Sequence, residues 1–191
     1  MGMDIFAYLL LQILNGYNWN PKFGVSNKFK NWIAILDIKT CLICRNMHGK
    51  IWSIDETAEK EPPVHPRCRC AIKPMVTIKS GTATINKTNG ADWWLKHYNK
   101  LPDYYIPRKE AKNNGWNPKI GNFKKVCPTK MISGGVYYND NNHLPVKKDR
   151  IWYEADINYK IGFRNNQRIV WSNDGLIFVT FDHYKTFFEI V

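Results

Sequence analysis

Acidic residues are scarce in this chain. Its 191 residues include 16 Asp and Glu against 28 Lys and Arg, a net charge of +12, with an isoelectric point near 9.5. That deficit points to a polyanionic partner: nucleic acid, an anionic membrane or an acidic protein. No basic tail accounts for it. Residues 88–191 hold 16 Lys and Arg against 10 Asp and Glu, and residues 1–87 hold 12 against 6, so each part carries +6. There is no internal repeat and no heptad. The apolar run at residues 5–14 is too short to cross a bilayer. It reads as a buried helix closed by Gly16. The competing reading, an export signal, has Asp4 where positive charge is expected and no small-residue cleavage site after it. Cysteine is also sparse: of five, only Cys127 lies beyond residue 78, where it reads as a thiol without a role. What is plentiful is core material, with 44% hydrophobic and 14% aromatic residues, which excludes a disordered chain.

Two grammars divide the sequence. Residues 1–78 carry four cysteines and a charged, proline-bearing loop, SIDETAEKEPPVHPRCRC. The small, polar, threonine-rich stretch over residues 79–90 has the profile of a linker. From Ala91 the chain reads as two short helices, ADWWLKHYNKLP and PRKEAKNNGW, the second ended by Gly115. Strand-like runs follow: GGVYY, RIWYEADINY, QRIVWS, LIFVTF and YKTFFEIV, joined by tight turns such as Asn173-Asp174-Gly175. Helices followed by hairpin-linked strands indicate an α+β fold in which N-terminal helices pack on an antiparallel sheet. Three parts are expected: a Cys/His module over 1–78, a linker over 79–90 and a domain over 91–191.

In RIWYEADINY the period of two puts Trp152, Glu154 and Asp156 on one face and Ile151, Tyr153, Ala155 and Ile157 on the other. In an antiparallel meander Glu154, Arg168 and His183 can lie side by side, with Arg164 in reach. A carboxylate, an imidazole and guanidiniums suffice for metal-free phosphodiester cleavage. One group takes a proton, another returns one, and the cations stabilise the phosphorane. Taken singly, a strand glutamate is more often a solvated face and a turn histidine a surface residue. Pattern alone leaves both readings open.

The segments WWLKHYNKLPDYYIPRKEAKNNGW, WYEADINYKIGFRNNQRI and FDHYKTF closely resemble the barnase-like family of small bacterial extracellular guanyl-type ribonucleases, in order over residues ~90–191. The resemblance implies that Glu154 is the general base, His183 the general acid, and Arg164 and Arg168 the phosphate-binding arginines. Arg108, with Lys109 beside it, stands where the family has a lysine. Tyr184 matches an aromatic that helps hold the base. It further implies metal-independent transesterification of single-stranded RNA to 2′,3′-cyclic ends, a monomer, an exported or delivered toxin, and an acidic barstar-like inhibitor as partner. One region departs. Val136 follows Gly134-Gly135 where the family has an acidic residue, and the shorter loop NDNNHLP has no arginine or glutamate. Asn139, Asn141 and Asn142 are left as candidate base contacts, and guanine preference does not carry over.

Cys41-x2-Cys44, then His65-x2-Cys68-x-Cys70, has spacings that suit tetrahedral zinc, with five candidate ligands for four positions. Paired disulfides or reduced structural thiols remain the alternatives. The segment ILDIKTCLICRNMHGKIW…PPVHPRCRC, about residues 31–73, resembles the C-terminal part of tailed-phage minor head (head morphogenesis) proteins. This implies delivery, packaging or assembly and not catalysis. Two rivals to an RNA-cleaving toxin follow. One is an inert nucleic-acid-binding or packaging protein, which has no need of both Glu154 and His183. The other is a zinc-finger regulator, for which a basic recognition helix is missing.

Overall fold

The computed structural model describes residues 20–191; the helix expected over residues 5–14 lies outside them. Among the described residues, nine strands form one sheet, in the order β2-β1-β3-β9-β8-β7-β6-β5-β4. The first three are β1 (Phe23–Ile33), β2 (Ile51–Ser53) and β3 (Ala71–Ile78), with the short helix α1 (Leu42–Met47) between β1 and β2. Then come α2 (Ala91–Tyr98), β4 (Tyr105–Pro107), α3 (Arg108–Asn113), α4 (Phe123–Val126) and β5 (Met131–Tyr137). The chain closes with β6 (Trp152–Asp156), β7 (Arg168–Ser172), β8 (Ile177–Thr180) and β9 (Phe188–Ile190).

The fold is α+β, and β5 to β9 form the expected antiparallel meander. Two pairings depart from it. β4 runs parallel to β5, across a crossover containing α3 and α4, and β3 runs parallel to β9. The second joins the two halves of the chain into one sheet. Ser26 on β1 reinforces it by donating to Glu189 on β9 at 2.5 Å. The linker over 79–90 is packed, not a free tether. Ala83 and Thr84 are buried and donate to the buried Asp92 carboxylate at 2.9 and 2.7 Å.

The period of two in β6 sorts the core as expected. Ala155 and Ile157 join Ile169, Val179 and the α2 residues Ala91 and Leu95 on one face. Trp152 joins Val170 and Phe178 on the other, where Phe29, Ile51 and Met75 arrive from the N-terminal half. Each buried Val, Leu, Ile, Phe or Met side chain among these contributes roughly 1.5–3 kcal/mol. Both faces of the central strands are therefore covered. α2 ends at Asn99 in the left-handed conformation (φ 52°), a common way to close a helix. Cys127 is buried with Trp116 and Phe123.

Candidate active site

The glycine pair on β5 makes the site possible. Pairing with β6 slips between Ser133 and Gly135, leaving Gly134 as the extra residue of a bulge. A Cβ on Gly134 would stand 2.5 Å from Glu154 Oε1, and Gly135 takes φ +99°. The Glu154 carboxylate thus lies against bare backbone. Its Oε1 accepts from Arg108 Nη2 at 3.1 Å, and its Oε2 accepts from the Tyr184 hydroxyl. Tyr184 stacks on Tyr137 with centroids 5.0 Å apart. Burial, then the hydrogen bond to Glu154, raises the Tyr184 phenol above its ordinary value, so it stays a donor. Burial and the Glu154 charge push Tyr137 up to about 12.

His183 is exposed on the turn after β8, and both it and Tyr184 have positive φ, 60° and 66°. Two consecutive left-handed residues that are not glycine are strained, and Asp182 holds them. Its Oδ1 accepts from the Lys185 and Thr186 amides at 3.1 and 3.0 Å and from Thr180 Oγ1 at 2.9 Å. Its Oδ2 accepts from Thr186 Oγ1 at 2.7 Å. His183 N donates to Asn166 O at 3.0 Å and Tyr184 N to Thr180 Oγ1 at 2.9 Å. Glu154, His183, Arg108 and Tyr184 line one cleft of about 610 Å³. A carboxylate and an imidazole flanking that space can remove one proton and deliver another.

The two arginines expected to meet phosphate both pair with a residue given no role in the sequence. Asp156, fully buried, accepts from Arg164 Nε at 2.7 Å and Nη2 at 2.5 Å. Arg168 Nε stands 3.1 Å from the same carboxylate, in ion-pair range but not aligned for a hydrogen bond. Arg168 Nη1 donates to the Asn165 and Gln167 carbonyls, each at 2.7 Å. The Arg168 side chain is 4% exposed and that of Arg164 23%. Neither lines the cleft. Asp156 raises the Arg164 pKa further by hydrogen bonding. Two guanidiniums on one carboxylate leave a surplus positive charge, and Arg164 and Arg168 make electrostatic contact with Tyr184. Asp156 is one period of two from Glu154, and that was its only signal in the sequence.

The expected base contacts divide. Asn139 is buried and its amide is spent inside the loop, donating to Leu144 O at 2.9 Å and accepting from Leu144 N at 3.0 Å. Asn141 lines the cleft but is engaged with His143. Asn142 and Lys109 are exposed and lie outside the cleft lining. Tyr138, 80% exposed, and Asp140 also line the cleft, although no motif in the sequence marks them.

In the N-terminal half, His65 Nε2 lies 3.2 Å from both Cys41 Sγ and Cys44 Sγ, and Cys44 Sγ lies 3.8 Å from Cys68 Sγ. All five cysteines of the chain are free thiols. Cys41, Cys44 and His65 form one close trio and Cys44, Cys68 and Cys70 another. Zn–S bonds of about 2.3 Å in a tetrahedron set sulfurs about 3.8 Å apart, so the spacing fits zinc. His65 Nδ1 lies 2.8 Å from Pro66 O. Donation there leaves the Nε2 lone pair directed at the sulfurs, the outer-shell contact typical of a ligating histidine.

Comparison with known proteins covers both halves. The family model described as ribonuclease matches residues 91–191. That described as Phage Mu protein F like protein matches residues 22–73, starting upstream of the segment quoted from the sequence. A protein named ribonuclease from Heyndrickxia coagulans is 46% identical over 108 residues, 56% of this chain and 99% of that protein. One of the same name from Bacillus intermedius is 46% identical over 108 residues, 67% of its own length.

Proposed function

The chain belongs to the ribonuclease family, and from that premise we propose a barnase-like, metal-independent endoribonuclease that cleaves single-stranded RNA by internal transesterification. Glu154 takes the proton of a ribose 2′-hydroxyl, which attacks the adjacent 3′-phosphorus. His183 gives a proton to the departing 5′-oxygen, leaving a 2′,3′-cyclic phosphate. Arg108 supplies positive charge at the cleft, and Arg164 and Arg168, fixed by Asp156, supply it from the β6–β7 loop and the start of β7. The observation that carries this reading is the placement of Glu154 and His183 on one cleft, with Arg108 and Tyr184 both hydrogen-bonded to Glu154.

Cys41, Cys44, His65 and Cys68, with Cys70 adjoining, would hold a structural zinc ion that fixes α1 against the loop over 54–70. The ion takes no part in catalysis. A ribonuclease fused to a phage-protein-like segment suits a delivered or exported toxin, which its maker must restrain with an acidic inhibitor.

The deciding experiment incubates the full chain with a short RNA in EDTA and identifies the product ends. Cyclic phosphate termini are expected. Glu154→Ala and His183→Ala should each slow cleavage by about 10²–10⁴-fold with little change in affinity. An RNA carrying a 2′-deoxy sugar at the cleavage position should bind and stay intact. Its turnover would falsify transesterification.

A further inference from the structure

A second cleft adjoins the catalytic one. Asn141, His143 and Lys185 line the catalytic cleft and also line this second cleft of about 660 Å³. The other side of that second cleft is built by the N-terminal half, including Arg45, Lys50 and Lys60. The two clefts therefore adjoin at the seam between the halves. Backbone contacts fix that seam. Ile51 N donates to His143 O at 2.8 Å, and a Cβ on Gly49 would stand 2.9 Å from Lys185 O.

The chemistry of the second cleft is one-sided. Among the described residues, Arg45, Lys50, Lys60 and Lys185 line it and no carboxylate does. Lys50 Nζ lies 3.7 Å from Glu59, whose side chain is 70% exposed, a pair that solvent screens heavily. Arg45 is braced by donation from Nη2 to Asp37 O at 3.0 Å. Leu36 and Ile43, 51% and 46% exposed, place apolar surface among the cations. A cationic trough with apolar patches, adjoining the cleft that holds Glu154 and His183, suits an extended single strand: phosphates meet the cations and bases rest on apolar surface.

We propose that the phage-protein-like half forms a second RNA subsite, in which Arg45 and Lys60 bind phosphates flanking the scissile one. That half is thereby part of the substrate site as well as a delivery or assembly element. The proposal rests on the ribonuclease reading above. It favours RNA over a membrane because the surface is concave and adjoins the catalytic cleft.

The test compares the full-length wild type with Arg45→Glu/Lys60→Glu, both substitutions being at exposed positions. Substrates are a ribodinucleotide, which fills only the catalytic cleft, and a ribo-octanucleotide. The dinucleotide kcat/KM should be unchanged and the octanucleotide value should fall roughly tenfold near 0.1 M salt. Binding of the all-2′-deoxy octanucleotide, which has no internal nucleophile, should lose about 1.4 from its log–log salt slope, about 0.7 per phosphate on a single strand. Equal octanucleotide cleavage by both proteins overturns the subsite. So do equal losses on both substrates, which would mean that the variant disturbs catalysis itself. If phosphatidylserine vesicles bind wild type and not the variant while octanucleotide cleavage is equal, the trough serves a membrane and the proposal fails. A wild type that cleaves neither substrate removes the ribonuclease reading itself.

Discussion

Gly134 lies flat against the carboxylate of Glu154, so that a Cβ at Gly134 would meet Oε1 at 2.5 Å, Cγ at 2.6 Å and Cδ at 2.8 Å. The bulge that creates this contact adds one residue to β5 and lets the carboxylate lie where Arg108 and Tyr184 can both reach it.

Gly134→Ala should therefore act on catalysis more than on stability. The methyl group would push Glu154 off its two partners, and a displacement of about 1 Å at a reacting group can cost about a hundredfold in rate. Steady-state cleavage of a dinucleotide would show kcat falling with KM nearly constant. An unchanged kcat would mean that Glu154 is not held by this contact.

Asp156→Asn should destabilise the fold by about 3–5 kcal/mol, because it leaves the buried Arg168 guanidinium, and much of Arg164, without a counter-charge. Urea titration followed by tryptophan fluorescence measures this. A loss below about 1 kcal/mol would mean that the arginines reach solvent instead of relying on Asp156.

Asp174, in the turn between β7 and β8, accepts from Arg150 Nε and Nη2 at 2.9 and 2.8 Å. Those bonds hold its carboxyl well below the usual carboxylate range. A depressed folded pKa means that its contribution is present above the unfolded value, about 3.9, and is lost as pH falls through the folded one. Asp174→Asn should cost about 1 kcal/mol near pH 7. The gap between wild type and variant should narrow as the pH is taken well below 4, as read from melting curves across pH.

Zinc should co-purify at about one ion per chain, and its removal by a strong chelator should lower the melting temperature. Cleavage of a dinucleotide should survive chelation, since Glu154, His183 and Arg108 lie outside the cysteine cluster. Cys44→Ser should abolish the bound zinc, because Cys44 belongs to both trios. A full complement of zinc in that variant would place the metal elsewhere.

An acidic inhibitor encoded beside this chain should cover Arg108 and block RNA cleavage. Opposite charge steers its association, so the on-rate should fall steeply between about 0.05 and 0.5 M salt as the screening length shrinks. Val136 and the short loop after it border the same cleft, so a divergent inhibitor should bind better than barstar itself. A salt-insensitive complex that leaves cleavage intact would reject this surface.

The sequence by itself determined the local elements and their faces. Alternation in residues 150–159 set Glu154 and Asp156 on one side and Ala155 and Ile157 on the other, and the short turns set the antiparallel meander. The motif residues Glu154, His183, Arg108 and Tyr184 do share a cleft. Only the tertiary structure decided partners. The β6–β7 register places Asp156 opposite Arg168, and so the arginines go to Asp156, because a period of two fixes a face and not the residue across from it. Asn139 spends its amide on Leu144, a choice that residue type cannot reveal. Two residue pairs of β3 and β9, Thr77 with Glu189 and Ile78 with Ile190, join halves that the composition separates. Parallel pairing between segments more than a hundred residues apart leaves no local pattern, since each strand carries only its own periodicity.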